Sequence, residues 1–333
     1  MIARRGLLGY AFALAAQSQS QAQAPAQTRR IGFLGYTAVN TADDDRVIAA
    51  FKQRLREHGL VEGGNLTIEW RYGEGQIERY DAMAAELVAL GVELVVVGSG
   101  TAARAVMKAS RSLPVVTIAV PDPVRSGLAA SLAHPGGQVT GMSNLADELV
   151  PKRIELLKAA VPAANRIAIA RCPRCAATSG ESSAEITTRH ERESAAARSV
   201  GVTLVSIDVN AASDFPAAAD AIQREHVQAL LLAASPINVA LREQWAALAA
   251  NQRLPMLAPS RGFGAMLSFG PDFNAVFRRA ADFVARILNG TRPADLPMEQ
   301  PTQFEFVVNQ RLARAIGVTI PQAALLRADE VIE

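Results

Sequence analysis

The chain is poor in cysteine, histidine and net charge, and each shortage removes a class of protein. Two cysteines, Cys172 and Cys175, in 333 residues are too few for the disulfide framework of a small secreted scaffold. The four histidines, His58, His134, His190 and His226, stand far apart with no ligand spacing, so no metal site is expected. Lys and Arg number 34 against 32 Asp and Glu, which gives nucleic acid or an anionic membrane surface no purchase as a partner. No phosphate loop, Gly-x-Ser-x-Gly elbow or zinc-protease motif occurs, so catalytic chemistry has no obvious residues and no cofactor is expected. An uncharged apolar run at the start is too short to span a membrane. Nothing after it is apolar enough to cross a bilayer, which takes roughly 20 residues.

That first run has the layout of an export signal. Arg4 and Arg5 supply a positive region, residues 6–16 (GLLGYAFALAA) an apolar core, and Ala22-Gln23-Ala24 the small-x-small pattern that signal peptidase cuts after. Residues 1–24 are therefore expected to be removed, with Pro25 as the mature start. Arg4-Arg5 ahead of Leu7-Leu8 also fits twin-arginine export, and the route stays open. No cysteine lies near the cut, so a lipid anchor is not expected and the product should be a freely soluble periplasmic monomer. Removal of the signal leaves 309 residues with 32 basic and 32 acidic side chains, enough chain for two lobes.

Along those residues short β-branched runs alternate with longer amphipathic stretches, the pattern of α/β lobes with doubly wound parallel sheets. Strands are expected at 31–35, 66–70, 94–97 and 115–119, with helices at 43–58, 77–90 and 101–110 between them. Val47, Phe51 and Leu55 repeat every four residues in the first helix, Thr41 can cap it and Gly59 stops it. After His134-Pro-Gly-Gly137 and a short strand at 139–142 the alternation restarts. Helices at 147–160, 181–200, 215–225 and 239–250 then interleave with strands at 166–170, 203–207, 229–233 and 255–257. A long helix at 273–288, a strand at 303–308 and a short helix at 310–316 have no lobe of their own and should cross back over a hinge. The expected division is 25–143 plus about 268–298 for lobe one, and 144–267 plus about 299–333 for lobe two and the hinge return.

Ligands of open α/β sheets bind beyond the carboxyl ends of the strands. In lobe one those ends carry Tyr36, Ser99-Gly100-Thr101-Ala102 and Asp122; in lobe two they carry Arg171-Cys172, Ser235-Pro236-Ile237-Asn238 and Ser260-Arg261-Gly262-Phe263. Residues 99–102 form the sharpest candidate, because a strand gives way there to a helix whose free N–H groups and dipole favour an anion. Ser99 or Thr101 can equally be a plain helix cap. Gly98, Gly100 and Ala103, with Asp122 about 20 residues on, also match a dinucleotide fingerprint. The match falls in the third strand-helix unit rather than the first, and an exported compartment holds little nicotinamide cofactor, so a soluble dehydrogenase is disfavoured. Cys172-Pro-Arg-Cys175 has the placement of a redox pair at a helix start, or of a small loop disulfide. Asp43-Asp44-Asp45 is explained by the dipole of the helix it opens.

Several segments together resemble a known family. Gly32-Phe-Leu34, Gly59-Leu-Val-Glu-Gly63, Gly127-Leu-Ala-Ala-Ser-Leu132, Pro135-Gly-Gly-Gln-Val-Thr-Gly141, Pro151-Lys-Arg153 with Leu156-Leu157, Gln300-Pro-Thr302 with Phe304-Glu-Phe306, and Ala328-Asp-Glu-Val-Ile332 are similar to ABC transporter substrate-binding proteins of the branch with tryptophan- and tyrosine-binding members. The resemblance implies a type I periplasmic binding protein fold, two lobes joined by three crossings, that closes on a small-molecule solute and delivers it to an ABC permease in the cytoplasmic membrane. It also implies that 99–102 is a ligand-contacting turn and that Asp122-Pro-Val124 is a second lobe-one contact loop. Lobe two departs from the family: Arg171-Cys-Pro-Arg174 stands where members tend to carry an Asn-Pro-Asn-rich loop. The expected mechanism places a polar or anionic group of the solute at Ser99 and Thr101, a cationic or hydroxyl group at Asp122, and Tyr36 and Phe263 as stacking faces. A sensory receptor, or an exported redox or nicotinamide enzyme, is the competing reading.

Overall fold

The computed structural model describes residues 28–37 and 41–333; the expected export signal and cleavage site lie outside the described residues. β1 (Arg29–Gly35) opens the first sheet and α1 (Ala42–Glu57) follows. Thr41 and Asp44 exchange side-chain and backbone bonds at its start, three aspartates occupy its first turn, and Arg54 and Arg56 its last. Both ends thus match the helix dipole. β2 (Leu66–Tyr72), a 3-10 turn running into α2 (Tyr80–Ala89), β3 (Val95–Val97), α3 (Gly100–Ala109), β4 (Val115–Val120) and β5 (Val139–Ser143) complete a parallel sheet of order β2-β1-β3-β4-β5. The alternation within β1 sets the layers. Ile31 and Phe33 face Phe51 and Leu55 of α1, whereas Leu34 faces Tyr80, Met83 and Leu87 of α2. Gly32 lets α2 come close, since a Cβ there would meet Leu87 at 3.0 Å.

The second lobe begins with α4 (Val150–Ala160) and runs through β6 (Arg166–Arg171), α5 (Pro173–Thr178), α6 (Ser183–Ser199), β7 (Thr203–Asp208), α7 (Phe215–Arg224), β8 (Ala229–Leu232), α8 (Pro236–Ala240), α9 (Arg242–Asn251) and β9 (Met256–Ala258). β10 (Leu267–Pro271) then pairs parallel with β9 and antiparallel with a later strand. This corrects the expected boundary: residues 268–271 belong to the second sheet, and the chain returns to lobe one only at α10 (Phe273–Leu288), which packs on α1, β4 and β5. The periodicity of 273–288 named the helix, but a four-residue apolar run cannot say which sheet it joins. β11 (Phe304–Asn309), α11 (Gln310–Ala315), α12 (Gln322–Leu325) and β12 (Glu330–Ile332) close a sheet of order β12-β11-β10-β9-β8-β6-β7. The helix expected at 239–250 is two helices, because Ser235 caps one that starts at Pro236 and the chain turns at Leu241.

Three crossings join the lobes: between β5 and α4, between β10 and α10, and between Glu299 and β11. Glu299 bonds across to Gly141 and Ser143 backbone, and Asp272 N–H donates to Gln303. Arg153, buried in α4, fastens two of them from within by donating to the carbonyls of Ala146 (3.1 Å) and Phe269 (2.8 Å). Burial pulls its guanidinium down to about 10, with the charge of Asp147 opposing the shift. Among the described residues no helix is long and apolar enough to cross a membrane, and no group of three or more His, Cys, Asp or Glu is arranged to hold a metal ion.

Candidate functional site

The carboxyl ends of both sheets face one another across a cleft that holds two adjoining cavities with Tyr36 and Ala119 in the shared wall. The smaller, about 80 Å³, is the more polar of the two. From lobe one it takes Ser99, Gly100, Asp122 and Ser126, from the first crossing Asn144 and Asp147, and from lobe two Arg171, Cys172, Ser179, Glu181, Arg189, His190, Ser235 and Pro236. The larger, about 170 Å³, is chiefly apolar, walled by Phe33, Tyr72, Phe273 and Phe277 from lobe one and by Val239 and Phe263 from lobe two. Asp43, Asp44, Arg242, Arg261 and Glu305 ring it.

The sequence candidates divide between these chambers. Ser99 lines the polar one, but its hydroxyl is also the cap of α3, accepting from Ala102 N–H at 3.1 Å. Gly100 is glycine for a reason of space: a Cβ would stand 3.0 Å from Ser179 of the other lobe. The Thr101 hydroxyl reaches across the cleft to those of Thr178 (3.0 Å) and Ser179 (3.2 Å). Ala102 is fully buried behind the turn and lines neither chamber. Asp122 lines the polar chamber and accepts from the backbone N–H of Arg125 at 2.9 Å. Cys172 is joined to Cys175 in a disulfide on the chamber wall at the start of α5.

Asn238 differs from expectation. Fully buried, it donates to the carbonyls of Ala170 and Ala233 and accepts from the Trp245 indole, so its side chain is committed to the frame and lines neither chamber. A strand-end loop signals position, not the direction a side chain takes. Ser260, Arg261 and Phe263 line only the apolar chamber, apart from the Ser99 turn. Arg261 is held there by Glu330 (2.8 Å), with Asp43 and Glu305 nearby, and the Glu330 hydrogen bond raises its pKa. Tyr36 stands between the chambers, its phenol held protonated far above the usual range by burial and by Tyr80.

The electrostatics of the polar chamber come mostly from residues that strand-end reasoning did not name. Arg125 donates to Asp147 (3.0 Å) and Glu181 (2.9 Å); Arg189 donates to Glu181 (2.9 Å) and lies beside Asp147; Arg171 pairs with buried Glu193 at 2.6 Å. Burial depresses the Arg171 guanidinium and raises the Glu193 carboxyl, each opposed by the other's charge. His190 is pushed down to about 4 by burial and by the two neighbouring arginines, so it is neutral at physiological pH. The Nε–H groups of Arg171 and Arg189 are buried without a hydrogen-bond acceptor among the described residues. One signal for this cluster was present: Arg189, Glu193 and Ala197 form an i, i+4, i+8 row on α6 that is buried throughout.

At the polar end of the cleft the lobes touch along one short turn. Thr178 and Ser179 meet Thr101, Gly180 sits against the Arg104 guanidinium, and Glu181 meets Arg125. Gly180 has φ +103°, and a Cβ there would stand 2.8 Å from the Ser126 carbonyl, so no other residue fits. At the far end of the cleft Arg242 of lobe two donates to Asp44 of lobe one at 2.6 Å.

Known proteins share this architecture. A tyrosine-binding protein of Clostridioides difficile is 22% identical over 277 residues, 82% of this chain and 77% of that one. Among solved structures, a conserved domain protein of Vibrio cholerae (25% identity, TM-score 0.79) and an ABC domain of Streptococcus pneumoniae in complex with L-Trp (24% identity, TM-score 0.78) each match 92% of this chain and 100% of their own. The model of the ABC transporter substrate binding protein family matches residues 38–332. With two lobes closed over a cleft and a family match along nearly its whole length, the chain belongs to the ABC transporter substrate-binding proteins and is a binding protein, not an enzyme.

Proposed function

We propose that this protein captures an amino-acid-like solute with an aromatic or other bulky apolar side chain, and presents it, in the closed form, to an ABC permease in the cytoplasmic membrane. The observation that carries the reading is the pair of adjoining chambers. The polar one offers carboxylates of Asp122, Asp147 and Glu181 to an ammonium group. For a carboxylate it offers the unused Nε–H groups of Arg171 and Arg189 and the start of α3. The apolar chamber beyond Tyr36 offers aromatic walls to a side chain. The tyrosine named for one relative and the L-Trp bound in one solved structure support the same class.

Capture works through the hinge. A solute that contacts both walls only when the lobes are closed shifts the open–closed equilibrium by its differential affinity. In this reading residues 25–143 and 272–298 move against 144–271 and 299–333, residues 1–24 direct export to the periplasm, and the disulfide at 172–175 is the state expected in that compartment.

The test is a thermal-shift screen of the chain lacking residues 1–24 against the L-amino acids, their desamino analogues, sugars and NAD. At a hundredfold excess over Kd a ligand stabilises by about 2.7 kcal/mol, and an aromatic L-amino acid is expected to do so. A shift with a sugar or NAD and none with any amino acid would overturn the reading.

A further inference from the structure

Three carboxylates face the polar chamber, and each comes from a different part of the hinged machine: Asp122 from lobe one, Asp147 from the first crossing, Glu181 from lobe two. One side chain touches all three. The Arg125 guanidinium donates to Asp147 Oδ2 at 3.0 Å and to Glu181 Oε1 at 2.9 Å, its Nε lies 3.6 Å from Asp122 Oδ2, and its own backbone N–H holds Asp122 Oδ1 at 2.9 Å. Arg125 is not itself in the chamber lining. We infer that Arg125 is the positioning residue of the binding function: it draws the three acceptors together as the lobes close, and so assembles a site for the cationic nitrogen of the solute that the open protein does not possess.

The way Glu181 is shared makes this arrangement reversible. Its Oε1 accepts from Arg125 of lobe one, while its Oε2 accepts from Arg189 of its own lobe at 2.9 Å. When the lobes part, Glu181 keeps Arg189, and Arg125 keeps Asp122 within its own loop. Opening therefore strands no buried charge, which would be the expensive outcome. The bond that forms on closing is also only partly exposed, with the side chains of Arg125 and Glu181 retaining 19% and 9% of their accessible surface. It is thus weakly screened compared with a surface pair. The backbone beside it is already committed to close approach, through Gly180 against Arg104 and Ser179 against Gly100.

This inference rests on the proposed amino-acid solute for its ligand and on geometry alone for the closure. The experiment separates the two. Arg125→Ala, Arg125→Lys and, as a control in an exposed pair, Arg292→Ala are compared with the parent chain by small-angle X-ray scattering without ligand and by stopped-flow binding of L-tryptophan and of indole-3-propionate, which lacks the amine. Arg125→Ala should enlarge the unliganded radius of gyration, raise the L-tryptophan dissociation rate about tenfold and shrink the preference for L-tryptophan over indole-3-propionate. Arg125→Lys should recover part of the rate because one ammonium cannot bridge three carboxylates, and Arg292→Ala should change nothing. If Arg125→Ala melts early, Arg125→Gln, which retains two donors, takes its place. An unchanged radius and an unchanged dissociation rate in a folded variant would overturn the role of Arg125. Failure of the parent chain to bind L-tryptophan or any other amino acid would instead overturn the solute class, and the scattering comparison would still decide whether Arg125 holds the lobes together.

Discussion

Replacing Asn238 by Ala separates a framework residue from a ligand contact. The side chain makes three hydrogen bonds in a fully buried setting: to the Ala170 carbonyl at 3.0 Å, to the Ala233 carbonyl at 2.9 Å, and from the Trp245 Nε1–H at 3.2 Å. The Ala170 carbonyl keeps a second partner, the Ala233 N–H, so its loss is small. The Trp245 indole is completely enclosed and keeps none through Asn238, and an orphaned buried donor costs about 1–3 kcal/mol. Adding the Ala233 carbonyl and the space vacated by the amide gives a total of about 3 kcal/mol. In a lobe of this size that lowers Tm by roughly 6–12 °C. Urea unfolding followed by Trp fluorescence, together with calorimetric titration of the solute below the transition, reads both quantities. The expected result is a large loss of stability with solute affinity changed less than threefold. Stability altered by under about 1 kcal/mol together with abolished binding would refute this account and return Asn238 to the site.

Three further perturbations follow from the cleft. Thr101→Val removes a hydroxyl shared by Thr178 and Ser179 across the lobes while leaving the Ser99 cap of α3 intact; affinity should fall about threefold to tenfold with stability held within about 0.5 kcal/mol, and an unchanged affinity would take Thr101 out of the closed form. Reduction of Cys172–Cys175, or the double change to Ser, opens a loop with a sequence separation of 3, for which chain entropy predicts a loss of about 2 kcal/mol; since α5 runs into the turn that meets lobe one, affinity should weaken but survive, and complete loss on reduction would show that the sulfurs touch solute. His190 has its pKa lowered to about 4 in the folded chain by burial and by Arg171 and Arg189, against about 6.5 unfolded. Above that unfolded value both states are neutral and stability is whole; as pH falls toward 4 the unfolded chain takes up the proton first, and stability declines. The partial exposure of the ring limits this to about 1 kcal/mol, and His190→Gln should flatten urea midpoints between pH 7 and pH 4, a result that an unchanged slope would contradict.

The layered fold was legible because its signals are local. The four-residue repeat of Val47, Phe51 and Leu55, the Thr41 cap and the apolar period of 273–288 are each written within one element, and the elements formed where those signals lie. What could not be read is pairing over distance. Nothing in Leu267–Pro271 distinguishes a strand of one sheet from a strand of the other, because its partners, β9 and β11, lie on opposite sides of it in sequence and one runs antiparallel. The site shows the same division. The strand ends pointed to Ser99, Asp122 and Cys172, which the structure brings to one chamber wall, yet the charges that give that chamber its character, Arg125 with Glu181 and Arg171 with Glu193, are 56 and 22 residues apart.

Under the proposed function, those distant pairs also account for how the cleft would hold a zwitterionic solute. Each carboxylate facing the polar chamber has an arginine beside it whose fork can serve two acceptors at once, so the lobes can meet without bare carboxylates facing one another. A zwitterion adds no net charge to such a cluster, and can trade into it one group for one group. A solute with only one charge would leave either an ammonium facing arginine or a carboxylate facing aspartate, at the desolvation cost that burial imposes on any unmatched ion. Under the proposed function, this pairing of charges inside the cleft, more than any single contact in it, favours an amino acid over a simple amine or acid of the same shape.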